Sequence, residues 1–313
     1  MRVCVVGAGA IGGFIAGALA RAGIDVAVVA RGEHLAAMRA HGLSVESDIG
    51  TFTVTVDAAD DVRALGAFDA LLLTFKAHQW PALLPQLQPY ARTTTIATLQ
   101  NGLPFWYVRR PPLESVDPGG RIGALFDDEH VVGGVVHVSG HVPHPGKIVH
   151  SGGTRYVLGP PQGGSSERAQ QLVELFAHAG LAPEADPNVR HTVWLKLVNN
   201  VGLNPVSTLR RLTIAPLLAD PQARADVRAL MEETLRVGQA LGVVADVDID
   251  ARIAYAARLR DVKTSMLQDY ERSRPLEIEP MLGAVIELAA RLAVDVPHLR
   301  AAYDALQKVT STA

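Results

Sequence analysis

The sequence predicts an α/β domain followed by an all-α domain, and three observations lead there. An apolar run, Val3-Cys4-Val5-Val6, leads into Gly7-Ala8-Gly9-Ala10-Ile11-Gly12, after which apolar residues recur at helical spacing: Ile11, Phe14, Ile15, Ala18, Leu19. Short apolar runs then alternate with helical stretches through the first half, the pattern of a parallel sheet with crossover helices. From Asn188 onward every strong pattern is helical. The change of texture places a boundary at Asp186-Pro187, giving an N-terminal domain of residues 1–187 and a helical domain of residues 188–313.

Bulk properties agree with two ordinary globular domains. The chain has 313 residues, 48% hydrophobic and 19% charged, with a formal net charge of −3, so neither a nucleic-acid nor an anionic-membrane partner is expected. The single cysteine, Cys4, falls in the first apolar run and reads as a small buried residue. No disulfide can form within the chain, which fits a reducing, cytoplasmic setting. Residues 3–20 are nearly all apolar, and Ala18-Leu19-Ala20 looks like a signal-peptidase site. The charged flank is one arginine, however, and cleavage there would remove the best-formed strand, turn and helix, so a leader is not expected. No stretch is long and apolar enough to span a bilayer.

Each element follows from its local pattern. Residues 26–30 read as a second strand reached through Gly23, and residues 33–41 as a short helix ended by Gly42. Residues 51–56 alternate Phe and Val with Thr, the mark of a half-exposed strand. Residues 70–74 and 95–99 read as buried strands, ending in Lys76-Ala77-His78-Gln79 and Gln100-Asn101-Gly102. Ligands of open α/β sheets bind beyond the C-terminal strand ends, so both clusters point to a cofactor cleft. Residues 131–138, 147–150 and 155–158 read as strands separated by Gly and Pro turns, an antiparallel extension of the sheet. Helices are expected at 167–179, 189–204, 222–241, 250–263 and 280–293.

The glycine run carries chemistry because of its context. Gly7 permits a tight turn, Gly9 lets a diphosphate approach the backbone, and Gly12 lets the helix pack close to its strand, while Ala8, Ala10 and Ile11 add backbone N–H groups at the helix N-terminus. That makes the first domain a Rossmann-like dinucleotide-binding domain. The residue near the end of the second strand reads the adenosine ribose, and Arg31 there favours the 2′-phosphate of NADP. Glu33 keeps NAD open, and Arg31 could equally stack on adenine.

A second constellation lies on the helix at 189–204. Trp194, Leu197, Val198 and Val201 form an apolar stripe, while Lys196, Asn200 and Asn204 recur every four residues and share another face. Pro205 is expected to end or kink the helix, placing Asn204 near its C-terminal end. One ammonium and two amides in a row could line a polar cleft. A solvated face of an amphipathic helix has the same pattern.

Five ordered stretches resemble the ketopantoate reductase (2-dehydropantoate 2-reductase) family: Gly7-Ala8-Gly9-Ala10-Ile11-Gly12-Gly13; Thr74-Phe75-Lys76-Ala77-His78-Gln79; Gln100-Asn101-Gly102-Leu103; Trp194-Leu195-Lys196-Leu197 with Asn200 and Asn204-Pro205; and Ser265-Met266-Leu267-Gln268-Asp269 running on to Pro275-Leu276-Glu277-Ile278. The resemblance implies NADPH-dependent reduction of a small branched 2-oxo acid, with a place in pantothenate biosynthesis. It implies that Lys196 is the general acid, that Asn101 and Lys76 lie where cofactor and substrate meet, and that Asn200 and Asn204 bind substrate. It further implies that Ser265 contacts the substrate carboxylate and that Glu277 contacts a substrate hydroxyl near the lysine. A ketone accepting hydride gains charge on oxygen, so a positioned cationic donor suits the chemistry independently.

Two stretches stand apart. Between Phe105 and Phe126 the chain is longer, more aromatic and richer in proline than the family pattern: Phe105-Trp106-Tyr107, Arg109-Arg110-Pro111-Pro112, Asp117-Pro118-Gly119-Gly120. A lid, a substrate-selecting wall, a dimer contact and core packing are all open, and the departure leaves another 2-oxo or 3-hydroxy acid, or a non-catalytic NADP sensor, as alternatives. His137, His141, His144 and His150 lack metal-ligand spacing, so no metal is expected. The Ala- and Leu-rich helical domain leaves a homodimer open.

Overall fold

The computed structural model describes residues 1–258 and 262–311. The chain divides into two compact units, one of Met1–Gln100 with Arg121–Arg190, the other of Asn101–Gly120 with His191–Ala313. The sequence reading assigned residues 101–120 to the first domain. Their contacts place them in the second.

The first unit runs β1 (Arg2–Val6), α1 (Ala10–Arg21), β2 (Asp25–Val29), α2 (Gly32–His41), β3 (Leu43–Ser47), β4 (Gly50–Val54), β5 (Asp57–Ala59), β6 (Ala70–Leu73), α3 (Trp80–Leu87), β7 (Thr95–Thr98), then α4 (Arg121–Leu125), β8 (Val131–His144), β9 (Lys147–Gly159), α5 (Glu167–His178) and β10 (Ala182–Ala185). The sheet order is β4-β3-β9-β8-β7-β6-β1-β2-β5, with β10 beside β9. Strands β5, β2, β1, β6, β7 and β8 run parallel to one another, and β1, β6 and β7 are buried almost throughout. Both faces of such a sheet are covered by helices, which is why these strands read as unbroken apolar runs. Chain order reverses on either side of β1, so the end of β1 is the switch point where an open sheet takes its ligand.

The expected antiparallel extension is present as one long hairpin of β8 and β9. The strands expected at 147–150 and 155–158 are a single strand, in which Gly152 and Gly153 adopt positive φ opposite one of the register shifts of the hairpin. His150 is built into this wall: its ring stacks on Phe14 at 4.3 Å, Nδ1 lies 3.0 Å from Asp48, and Nε2 lies 2.6 Å from the Gly153 carbonyl. Among the described residues no three His, Cys, Asp or Glu side chains form a metal-holding group. Cys4 is fully buried, and burial pushes its thiol up to about 12, so it stays protonated and inert.

The second unit contains most of α6 (Val189–Arg210), then α7 (Ile214–Ala219), α8 (Pro221–Ala240), α9 (Ile249–Ala257), α10 (Ser265–Glu271), a π-helical turn (Glu279–Gly283), α11 (Ala284–Arg291) and α12 (Pro297–Ser311). Three expectations change here. Pro205 does not end α6, which continues to Arg210. The missing N–H is tolerated because residues 201–208 are all buried, and packing on that scale outweighs the loss of one helical bond. The helix expected at 250–263 ends at Ala257, and residues 259–261 of that expectation lie outside the described residues. The helix expected at 280–293 starts as the π turn. No described helix is long and apolar enough to cross a membrane.

Helix α6 is locked to α8 by the indole of Trp194, which donates to the Thr234 carbonyl at 3.1 Å and occupies the space a side chain at Gly238 would need. Tyr107 lies against the same indole at 5.8 Å, and Phe105, Trp106 and Tyr107 are all at most 3% exposed. The aromatic trio is therefore core of the helical unit. The irregular stretch after it is held by α11. Glu287 accepts from Ser115 Oγ at 2.7 Å and from the N–H groups of Glu114 and Ser115 at 3.0 Å each, and Arg291 donates to the carbonyls of Pro111 and Pro112. Burial raises the Glu287 pKa, but the Ser115 hydroxyl, the two N–H groups and Arg291 outweigh it and hold the carboxyl below its ordinary value. Its stabilisation is thus fully present above the ordinary carboxylate range and is lost as pH falls through the lower folded value. Glu287→Ala is expected to destabilise the protein by about 2 kcal/mol at neutral pH. Denaturant titrations at stepped pH should show this difference shrinking in acid.

Candidate active site

The first unit carries one candidate site, the glycine loop at the end of β1. Gly7 has φ +107°, and a Cβ there would lie 2.8 Å from the backbone nitrogen of Phe75. Its carbonyl accepts from Thr74 Oγ1 at 2.7 Å, and a Cβ on Gly12 would collide with those same two oxygens. Gly9 is the opposite case: nothing lies within 4 Å of where its Cβ would be. The N–H groups of Gly9, Ala10, Ile11 and Gly12 meet no acceptor among the described residues, the first helical bond being Gly13 to Gly9 at 2.8 Å. Free donors at the start of a twelve-residue helix, with open space in front of them, fit a diphosphate.

The neighbouring strand ends supply the rest of this site. Arg31 is exposed at the start of α2, directly after the residue whose N–H closes onto β5. Lys76 follows Phe75 beyond β6 and is half-buried, its N–H donating to Gln79 at 3.2 Å. Gln100 donates to the Phe75 carbonyl at 2.7 Å, tying the ends of β6 and β7 together.

The helical unit carries a candidate site of its own. Lys196 Nζ donates to Asn101 Oδ1 at 2.8 Å. Burial pulls the lysine pKa down to about 8, and the Glu277 carboxylate pushes the other way. The group thus remains mostly ammonium at neutral pH while being poised to lose its proton. Asn101 reaches this position through backbone anchoring. Leu103 N–H donates to the Pro280 carbonyl at 2.7 Å, and Gly102 turns between them with φ +80°. A Cβ on Gly102 would lie 2.5 Å from that carbonyl oxygen. Pro280 belongs to the π turn that begins two residues after Glu277, so one short stretch places the carboxylate and holds the asparagine. Such turns in helices recur at functional sites.

The other expected residues are placed unevenly. Asn200, one turn beyond Lys196, is half-buried, and its amide makes no hydrogen bond among the described residues. Asn204 is only 5% exposed, and its amide faces Met281 Sδ at 3.6 Å. The Lys196–Asn200–Asn204 row is therefore not a solvated helix face. Ser265 is exposed in the first turn of α10, whose cap is Thr264. Thr74 opens one of the recognised stretches, but its bond to the Gly7 carbonyl and the part played by the Pro280 carbonyl were not foreseen, because each is a contact to residues far away in sequence.

Comparison with known proteins decides the family. Residues 3–163 match the profile of the ketopantoate reductase PanE/ApbA family, and residues 188–310 match the profile of its C-terminal domain. The chain belongs to the ketopantoate reductase family. It is 40% identical over 310 residues to a 2-dehydropantoate 2-reductase of Mesorhizobium japonicum, spanning 96% of this chain and 95% of the relative. A structure assigned to the ketopantoate reductases from Ralstonia solanacearum superposes with a TM-score of 0.93 at 34% identity, covering 99% of this chain and 98% of that one. A 2-dehydropantoate 2-reductase from Geobacter metallireducens gives 0.88 at 28% identity, covering 99% and 100%. A D-mandelate dehydrogenase, at 0.88 and 19% identity over 100% of this chain and 99% of that one, shares the fold. Ketopantoate reductases are oxidoreductases acting on CH–OH groups and use a nicotinamide dinucleotide.

The Gly102 turn gives a direct test. Gly102→Ala adds strain at a positive φ and a clash with a backbone carbonyl, together costing about 2 kcal/mol or more. It should lower the melting temperature and free Asn101 from Lys196, with the loss in turnover exceeding that in dinucleotide affinity. Steady-state kinetics beside dinucleotide titration checks this.

Proposed function

We propose that this ketopantoate reductase reduces 2-dehydropantoate, or a closely similar branched 2-oxo acid, to the 2-hydroxy acid with NADPH, and that Lys196 is the general acid. The observation that carries the reading is the Lys196 ammonium held on Asn101 Oδ1 at 2.8 Å, in a place where burial lowers its pKa and the Glu277 charge opposes that. When bound, a nicotinamide dinucleotide would supply a hydride to the carbonyl carbon. As the C=O π pair moves onto oxygen, Lys196 Nζ gives that oxygen a proton and is left as a neutral amine, to be reprotonated from water. Asn101 holds the ammonium in one orientation. Glu277 keeps it charged despite burial and contacts a substrate hydroxyl in this reading. Asn200, Asn204 and Ser265 bind the rest of the substrate, Ser265 its carboxylate. Gly7 to Gly12 and Lys76 hold the dinucleotide, and Arg31 takes its 2′-phosphate. The setting is a reducing cytoplasm, and a homodimer remains part of the reading.

A panel of 2-oxo acids followed by NADPH oxidation tests the substrate. Preference for 2-dehydropantoate is the expected result, preference for another 2-oxo acid changes the substrate alone, and no turnover beside tight NADPH binding ends the enzymatic reading. Lys196→Ala is expected to lower kcat by about 10²- to 10⁴-fold with dinucleotide affinity unchanged. Reductive kcat/KM should fall above a pH of about 8, since the protonated lysine is the active form. Glu277→Gln removes the charge that raises the lysine pKa, so in a pH–rate profile the alkaline limb should move to lower pH. Arg31→Ala should cut the preference for NADPH over NADH by about 10- to 100-fold, as expected for loss of a charge-assisted phosphate contact, and paired titrations measure this.

A further inference from the structure

His34 lies on α2, apart from every residue assigned above, yet it touches the glycine loop. Its Nε2 lies 2.8 Å from the Ala8 carbonyl oxygen, and its Nδ1 lies 2.9 Å from the backbone nitrogen of Gly146. A backbone N–H can only donate, so Nδ1 is the bare nitrogen and Nε2 carries the proton given to Ala8. This is the neutral ring, and burial favours it, lowering the imidazole pKa against the opposing pull of the Ala8 bond. Gly146 is itself fixed in the turn between β8 and β9, its carbonyl accepting from Ser44 N–H on β3 at 2.9 Å. The ring therefore carries the position of the sheet to the loop.

What it holds there is a single peptide plane. Ala8 N–H already donates to the Val29 carbonyl at 3.2 Å, so with His34 both polar groups of Ala8 are bound. In a trans peptide the C=O of one residue and the N–H of the next point in opposite directions. With the Ala8 carbonyl drawn to His34, the Gly9 N–H is turned the other way. Gly9 has no side chain to hold it and open space around its Cβ position, so the direction of that donor depends on Ala8. We propose that His34 is a positioning residue for the dinucleotide, fixing the Ala8–Gly9 peptide so that the Gly9 N–H faces the diphosphate. This rests on the reading of the loop as the diphosphate site and is independent of which nicotinamide dinucleotide is preferred.

Two substitutions separate the two bonds. In His34→Asn the side-chain oxygen takes the place of Nδ1 and keeps Gly146, but no donor reaches Ala8. In His34→Gln the amide nitrogen takes the place of Nε2 and donates to Ala8. Titration of protein fluorescence with NADPH and with NADH should show about tenfold weaker binding of both to His34→Asn. His34→Gln should stay within about threefold of the wild type. At saturating dinucleotide kcat should be unchanged, with KM for the dinucleotide carrying the effect. Melting temperatures without dinucleotide report the fold of each variant, and a long-range ¹H–¹⁵N spectrum of the wild type should show the Nε2–H tautomer at neutral pH. Wild-type affinity in His34→Asn, equal weakening in both variants, or an Nδ1–H or doubly protonated ring would overturn the proposal. If the wild type binds neither dinucleotide, the loop reading itself falls and this inference falls with it.

Discussion

A lysine ammonium kept in a place that penalises charge is the constraint on which the helical unit depends. Water would solvate Lys196 better than its surroundings do, and the lowered pKa is the measure of that deficit. Two partners limit it. Asn101 offers a neutral oxygen at hydrogen-bond distance, and Glu277 offers a charge. Without the Glu277 charge the lysine would lose its proton more readily still. The backbone bond from Leu103 to Pro280, the left-handed turn at Gly102 and the π turn after Glu277 all fix those partners. The Trp194 indole, wedged between α6 and α8, fixes the lysine's own helix.

The loop at the end of β1 is built on the same principle with the sign reversed. There the backbone leaves donors uncommitted at a helix start, a state that costs free energy unless solvent or an anion meets them. Gly7, Thr74 and Phe75 crowd one side of the loop, while Gly9 faces open space. One part of the protein thus has helix-start donors without acceptors among the described residues, and the other has a cation on a neutral oxygen with a carboxylate acting on it. The proposed reduction, which holds a polyanion and protonates a nascent alkoxide, would use both.

How much of this was legible in the sequence depended on whether the information was local. The glycine loop is six consecutive residues between a strand and a helix, so its pattern was readable directly. The Lys196–Asn200–Asn204 row was readable as a shared face, but only burial shows that it is not a solvated one. Pro205 does not end the helix, one of the two outcomes expected of it, because the packing of residues 201–208 outweighs the local rule against proline, which no single helix reveals. Strand β3 passed unnoticed because its five residues hold one valine and one leucine and gain their identity from pairing with β9 and β4. The roles of Pro280, Glu287 and Arg291 were illegible for the same reason: each acts on backbone far away in sequence.

The passage of Asn101–Gly120 into the helical unit has a consequence for the chain as a genetic object. The polypeptide crosses between its two units three times, at 100–101, 120–121 and 190–191, so no single cut divides them. A fragment beginning at residue 188 would lack Phe105 and Tyr107 from its core, the backbone that satisfies Glu287, and the oxygen that holds Lys196. The helical half is thus completed by a stretch encoded within the first half, and an end-to-end fusion of two independently folding halves would not reproduce it. Recombination that exchanged one half for that of a relative would have to carry those twenty residues with the other side, or find a relative whose own loop fits the same carbonyl.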